Sequence, residues 1–560
     1  MRIRTFLGMS TLILVVACGG GGGSSDSKSS SVASTAPVPQ RGASDSRSEQ
    51  GVSDVQAARF LTQATFGPTY ADIAGLLETG RDQWLADQLA MPPTYHRPLM
   101  LPNEEMDNYW QIHRIEAWWK AALRAPDQLR QRMAFALSEI FVISDHNGAV
   151  ERHSVGMTHY YDRLLEHAFG NYRDLLEAVT LHPMMGRYLS HLGNEKANVE
   201  KNIRPDENYA REVMQLFTIG LVELNLDGTE KSDAQGRPIP TYDQETIENF
   251  ARVFTGWTFA QSSSWLWPAE TASMPMEAWP WFHDDGEKTL LQGEVVPAGL
   301  SPEEDLERAL DNLFYHPNVP PFISKQLIQR FVTSNPTPAY VERVARVFVD
   351  NGQGERGDLG AVIQAILLDD EALAGTQALP NQFGKLREPL IQTAHVWRNL
   401  DARSNTDRLW TWQLYKSHGQ GPLQSPSVFN FFRPDYTPPG EILMAPELQM
   451  YNDSLVISQL NEWMGSIVWA ERSRNEDNND DNRILVHTDQ WEADYRAHGG
   501  DELLDRLNLV FFSGQLSGAE LAIYRAALTE MEGYDWLIDS EKITNLIFMM
   551  VTSPQYQVQQ

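Results

Sequence analysis

The sequence predicts a mainly α-helical protein, one large multi-helix globular domain with long irregular insertions and a small β-hairpin. Three observations predict it. Apolar residues recur at helical spacing through most of the chain beyond Asp54. Irregular stretches rich in Pro, Trp and Asn interrupt those periods. A single segment alternates with a period of two around an Asp-Gly pair. Of the 560 residues, 42% are hydrophobic, which is enough to bury a sizeable core in one large domain or two fused ones. The one cysteine, Cys18, excludes disulfides within the chain, zinc ribbons and CxxC redox chemistry. Stability must therefore come from the apolar core.

The amino terminus reads as an export signal. Arg2 and Arg4 precede a short apolar run, Leu12 to Ala17, and then Cys18. That run is well short of the roughly 20 residues a membrane-spanning helix needs. Val15-Val16-Ala17-Cys18 resembles the lipobox of bacterial lipoproteins, in which the leader (residues 1–17 here) is cut off and the cysteine is acylated. Two features favour acylation over an incidental cysteine: Cys18 has no other cysteine to pair with, and a Gly/Ser-rich stretch follows it directly. Several acyl chains would hold the protein in a lipid bilayer. By the same resemblance, Gly19 rather than Asp after the cysteine implies the outer membrane, where the source has one. Residues 18–53 carry no hydrophobic period and read as a flexible tether, with the folded domain spanning 54–560. The expected location is thus the cell envelope, lipid-anchored.

Formal net charge is −30, and loss of Arg2 and Arg4 with the leader takes it to about −32. Such a surface repels phosphate backbones, so no nucleic-acid partner is expected. It also argues against contact with anionic lipid beyond the anchor. Solubility is the plain reading of this acidity.

The folded part opens with a helix from Asp54, with Asp54 as its predicted cap. Helices are then predicted at Trp110–Arg124, Asp127–Ile143, His159–Phe169, Tyr172–Leu181 and Asp206–Ile219. Between Leu221 and Tyr242, Val222, Leu224 and Leu226 alternate up to Asp227-Gly228, which predicts the hairpin. A helix resumes at Asp243–Phe254. Trp265–Pro280 reads as a packed loop. Further helices are predicted at Pro302–Tyr315, Pro320–Val332, Pro338–Asn351, Asp358–Leu368, Phe383–Leu400, Glu520–Met531 and Ser540–Met550. Gly419–Pro439 is irregular, and Asn475–Asn482 is an acidic loop. No fixed-period repeat supports a solenoid.

Several segments carry a family resemblance. They are Ala58-Arg59-Phe60-Leu61 with Ala64-Thr65-Phe66-Gly67-Pro68, Asn208-Tyr209-Ala210-Arg211-Glu212 with Leu216-Phe217-Thr218-Ile219-Gly220, and Ala251-Arg252-Val253-Phe254-Thr255-Gly256-Trp257. His283-Asp284 with Gly286 and Lys288, Gly357-Asp358-Leu359, the run Ser425 to Pro434, and Thr552-Ser553-Pro554 complete the series. Together, over residues 54–556, they resemble the bacterial family called domain of unknown function 1800. The resemblance implies an exported protein and brings no assigned activity. It also implies an exported sulfatase-like protein as a partner. Phe217 departs from the pattern, because many relatives carry histidine there.

The candidate chemistry is spread over several segments. On the predicted helix Asp206–Ile219, Glu207 and Arg211 stand at i and i+4, as do Asn208 and Glu212. Glu207 or Glu212 could serve as a general base and Arg211 could orient an anion; an ion-paired structural helix, with Arg211 tying neighbouring helices together, is the plainer explanation. His283 and Asp284 could ligate a divalent metal or form a base with its orienting acid, with further ligands from Glu207, Glu212, His153 or His159; a turn held by Asp side chains is the alternative. His159, Asp162 and Glu166 share a helix face. Asn225, Asp227 and Asp233 suggest a calcium loop, but the glycine spacing is wrong, and a hairpin turn explains them better. Trp265, Trp267, Trp279 and Trp281 could stack on sugar rings or lie in the core. HExxH, GxSxG and P-loop signatures are absent.

Two classes of function follow. One is an envelope protein that binds or assembles a surface polysaccharide or an exported partner. The other is an exported hydrolase, metal-assisted or not, built from Glu207, Arg211, Glu212, His283 and Asp284.

Overall fold

Helices dominate the chain because most of it carries apolar residues at helical spacing and defined caps. A computed structural model describes residues 52–101, 109–411, 414–470 and 482–560. Cys18, the leader, the tether up to Gly51 and residues 475–481 of the acidic loop lie outside the described residues. The described strands are short antiparallel pairs: Trp257–Thr258 with Glu277–Ala278, Lys288–Thr289 with Val295–Val296, and Lys385–Leu386 with Val558–Gln559. One continuous core runs from Val52 to Tyr556 and includes Trp118, Trp119 and Trp397. The last strand pair closes the chain onto itself.

Most predicted helices form, with shifted ends. Ser53, not Asp54, caps the first helix, Asp54–Ala64, through a reciprocal bond with Gln56. The helix predicted to reach Ile143 ends at Ser138, leaving Glu139 to Ile143 as a buried connection. Asp206–Ile219 becomes a five-residue α-helix, Asn208–Glu212, followed by a π-helix, Val213–Thr218. Phe383–Leu400 is helical only from Pro389, because Lys385–Leu386 pair with the carboxyl-terminal strand. The predicted hairpin forms as isolated bridges, Val222 with Pro240, Leu224 with Glu230 and Ser232 with Pro238. Prolines at two of those ladder positions cannot donate, which prevents regular strands.

Close packing explains one glycine of the opening motif. Gly67 has φ +102°, and a Cβ there would lie 2.2 Å from the His395 ring. Its carbonyl accepts from Arg398 Nε at 2.8 Å. The turn thus locks the amino-terminal helix onto Pro389–Asn399.

A buried charge network orders the middle of the molecule. Glu139 pairs with Arg330 at 3.1 Å, both nearly inaccessible to solvent. Lys385 pairs with Glu447 at 3.0 Å and lies 3.6 Å from Glu388. Gln420 donates to Glu388 at 2.6 Å, and both Gln420 and Asn430 donate to Glu139. Burial pushes Glu139 up to about 8 despite Arg330. Burial also acts on Glu388, but Lys385, Arg132 and Arg330 outweigh it and hold that carboxyl below its usual range. The same residues fix the segment ending at Pro434. Asn430 is held by Glu139, Phe432 lies against the Arg330 guanidinium at 4.5 Å, and Pro434 accepts from Gln329.

Glu139 binds its proton more tightly in the folded state than in the unfolded chain, so its contribution to stability falls as pH rises from about 4.5 towards 8. Glu139→Gln keeps the neutral shape and removes that titration. Thermal melts at pH 5 and pH 8 should show wild type losing stability relative to the variant, by about 3–4 kcal/mol. A constant difference would contradict the assignment.

Candidate functional site

The five residues singled out in the sequence enter separate arrangements. Glu207 pairs with Arg211 at 3.2 Å on a half-exposed face and accepts from Gln244 at 3.0 Å. Such an ion pair contributes little to stability. Asp284 receives a two-pronged bond from Arg252, at 2.9 and 3.1 Å. Burial pushes the Asp284 carboxyl up, but the Arg252 bond outweighs it and holds it below its usual range. His283 is buried, with Nδ1 2.9 Å from the Thr255 carbonyl and Nε2 3.0 Å from Asp305. Both ring nitrogens lie within hydrogen-bond distance of oxygen atoms of the fold, so neither is free to reach a metal. Lys288 also donates to Asp305 and to the carbonyls of Asp284 and Gly286. Burial acts to raise Asp305, but His283 and Lys288 together hold it low. Glu212 differs from the others: it is 6% exposed, its Oε2 has no hydrogen-bond partner, and burial raises it against the opposing pull of Arg211.

The secondary candidates have clear partners too. His159 bonds His182, at 3.0 Å, while Asp162 accepts the backbone N–H groups of His96 and Arg97. Glu166 pairs with Arg163. His153 stands at the amino-terminal end of the helix Ser154–His167, its side chain making no capping bond. Asp227 and Asp233 are occupied by Thr229 and by Arg237, and Asn225 donates to Thr229. Phe217 is fully buried against Phe141 at 5.2 Å, in apolar surroundings. Trp265 stacks on Phe282 at 4.2 Å, whereas Trp267 and Trp281 project into solvent. Among the described residues no group of three or more His, Cys, Asp or Glu side chains is arranged to hold a metal.

One large cleft was not anticipated from the sequence. It is an open cleft of about 1050 Å³, and its wall includes Tyr109, Trp110, Asp145, His146, Glu151, Arg152, Thr411, Tyr415, Lys416 and Gln424. At His146 it meets a pocket of about 320 Å³ lined by Ser144, Tyr188, Asn208, Ser425 and Ser427. Two family segments, those beginning at Asn208 and at Ser425, therefore reach one surface. The loop Ser144–His146 lies along residues 422–425. Arg114 donates to the Pro422 carbonyl at 2.7 Å, Asp145 N–H to Leu423 at 3.1 Å, and Ser144 Oγ to Ser425 at 2.6 Å. These bonds hold Leu423 at φ +53°, a left-handed conformation costly for a branched side chain. His146 rests edge-on against Tyr415, ring centroids 4.4 Å apart.

Asp145 is the chemically notable member. It is 3% exposed, Arg114 clamps one carboxylate oxygen, and Oδ1 has no partner. Thr411 Oγ1, on the same wall, is likewise buried and unpartnered. Both atoms lie beneath the cleft wall, closed to solvent and without a hydrogen-bond partner among the described residues.

The His283–Asp305–Lys288 cluster reads as a structural lock, and that reading is testable. Asp305→Ala strands a buried lysine and a buried histidine. The variant should lose about 3–5 kcal/mol in denaturant melts, and a loss under 1 kcal/mol would contradict the structural role.

A family profile described as a protein of unknown function, DUF1800, matches residues 59–558. No curated relative and no solved structure matches the chain. That match covers nearly the whole length, and the chain belongs to the DUF1800 family.

Proposed function

We propose that the protein is an exported envelope protein, lipid-anchored through Cys18 and held in the outer membrane, that binds a surface polysaccharide in the 1050 Å³ cleft. The observation that carries this reading is Asp145. Its carboxylate is fixed by Arg114 at one oxygen and unsatisfied at the other, beside exposed or half-buried aromatic rings of Trp110, Tyr109 and Tyr415. Sugars present this pairing of needs: hydroxyls that donate to a fixed acceptor, and ring faces that pack on aromatic side chains. The cleft lies at the upper end of the size of small-molecule sites. Arg152 and Lys416 balance Glu151 and Asp145 on the wall, and the chain as a whole is strongly acidic. A neutral glycan therefore suits the site better than an acidic one. The ion-paired state of Glu207, Arg211 and Asp284 favours binding over a hydrolytic centre built from those residues.

Titration of the full chain with laminarin, dextran and xyloglucan, with alginate as the anionic contrast, tests this. At least one neutral polymer should bind more tightly than alginate. Asp145→Asn and Tyr415→Ala should each weaken that binding about 10-fold or more, as loss of a charge-assisted hydrogen bond or a stacking ring requires. No binding to any neutral polymer, or unchanged binding by both variants, would overturn the proposal.

A further inference from the structure

Several strongly exposed apolar side chains stand on three loops that the fold ties together at Phe282. Trp265 stacks on the Phe282 ring at 4.2 Å and donates from Nε1 to Glu195 at 2.8 Å. The Lys196 N–H donates to the Phe282 carbonyl at 2.8 Å. Just beyond Lys196, Asn198 and Ile203 exchange backbone bonds at 3.0 and 2.9 Å and close a tight turn. The pairing of Trp257–Thr258 with Glu277–Ala278 fixes the base of the third loop. On this braced frame Val199, Leu266, Trp267 and Trp281 are between 77% and 95% exposed. Apolar residues scattered singly over a surface need no explanation, but a group on adjoining loops marks an interaction site.

Shape and charge choose the occupant. The four side chains project outward, whereas a sugar site is concave and lined with hydrogen-bonding groups. One face of the Trp281 ring already has the Lys196 ammonium over it, 6.0 Å from the ring centre. Lys201 and Arg204, on the same turn, are exposed and form no ion pair among the described residues. Against these three cations, residues 196–204 carry one carboxylate, Glu200. Apolar tips ringed by Trp, Lys and Arg match a membrane–water interface, where rings sit at headgroup depth and cationic side chains reach lipid phosphates. The acidity of the whole chain does not forbid this contact, because salt screens exposed charges beyond about 8 Å at physiological ionic strength.

We propose that these loops are a membrane-docking surface: Val199, Leu266, Trp267 and Trp281 enter the headgroup region of a phospholipid bilayer, and Lys196, Lys201 and Arg204 meet its anionic phosphates. The contact sets the orientation of the domain on the bilayer, which a flexible tether alone leaves open. Its place in the cell rests on the lipid-anchored reading of Cys18, although the surface itself needs no acyl chain. On that reading a tether of residues 18–51 spans on the order of 30 Å. Tethering raises the effective concentration of bilayer beside the domain, so a weak contact is enough.

The test uses the full chain carrying Cys18→Ser, so that no acyl chain contributes, and vesicles of phosphatidylethanolamine with phosphatidylglycerol. Hydrogen exchange should slow in residues 196–204, 265–268 and 279–282 when the vesicles are added, a readout that needs no further variant. Trp267→Ala with Trp281→Ala, and Lys201→Glu with Arg204→Glu, should each weaken retention on the vesicles about 10-fold or more. No slowing of exchange in these three segments, or unchanged retention by both variants, overturns the proposal. So does loss of laminarin binding in the tryptophan variant with its vesicle binding intact, which would make the rings a sugar platform. A native protein with no fatty acid on Cys18 overturns the anchored reading instead and leaves the vesicle result standing.

Discussion

The pairing of Glu139 with Arg330 is the constraint on which the site depends. A charge in a dry interior is tolerated only when it is paired and hydrogen-bonded. Satisfying this buried carboxyl and guanidinium draws in Asn430, Gln420, Glu388 and Lys385 from distant parts of the chain. Glu139 stands five residues before Ser144, and Asn430 five residues after Ser425. The network therefore anchors, from beneath, both segments that form the wall between cleft and pocket. Replacing such a network by apolar residues often stabilises a protein. Its retention here fits a role in positioning those loops.

Much of the architecture was legible in the sequence because helix formation is local. Periods of apolar residues and flanking prolines marked most helices, and ends were misjudged by a few residues where tertiary contacts decide them. Lys385 and Leu386 carry an acceptable helical pattern, yet they pair with Val558–Gln559, more than 170 residues away. The π-helix after Glu212 likewise has no local signature. Capping at Ser53 was visible in hindsight through Gln56, three residues on, which completes a reciprocal cap.

The site was much less legible. Sequence spacing brought forward Glu207, Arg211, His283 and Asp284, and the fold satisfies each of them with a nearby partner. Asp145-His146-Asn147-Gly148 reads as an ordinary turn, and nothing local says that Arg114, 31 residues earlier, holds its carboxylate. One usable signal was passed over: Glu139 and Arg330 interrupt otherwise apolar helical faces. Charges in such places must find buried partners, so they point to a long-range network even when the partner is unknown.

What distinguishes a binding cleft from an ion-paired scaffold here is the unsatisfied oxygen of Asp145. A crystal structure of the protein with a neutral gluco-oligosaccharide tests that point most directly. The account predicts a sugar ring packed along Tyr415 or Trp110, with a hydroxyl within hydrogen-bond distance of Asp145 Oδ1. An oligosaccharide seated only on the exposed rings of Trp267 and Trp281, with the cleft empty, would contradict it.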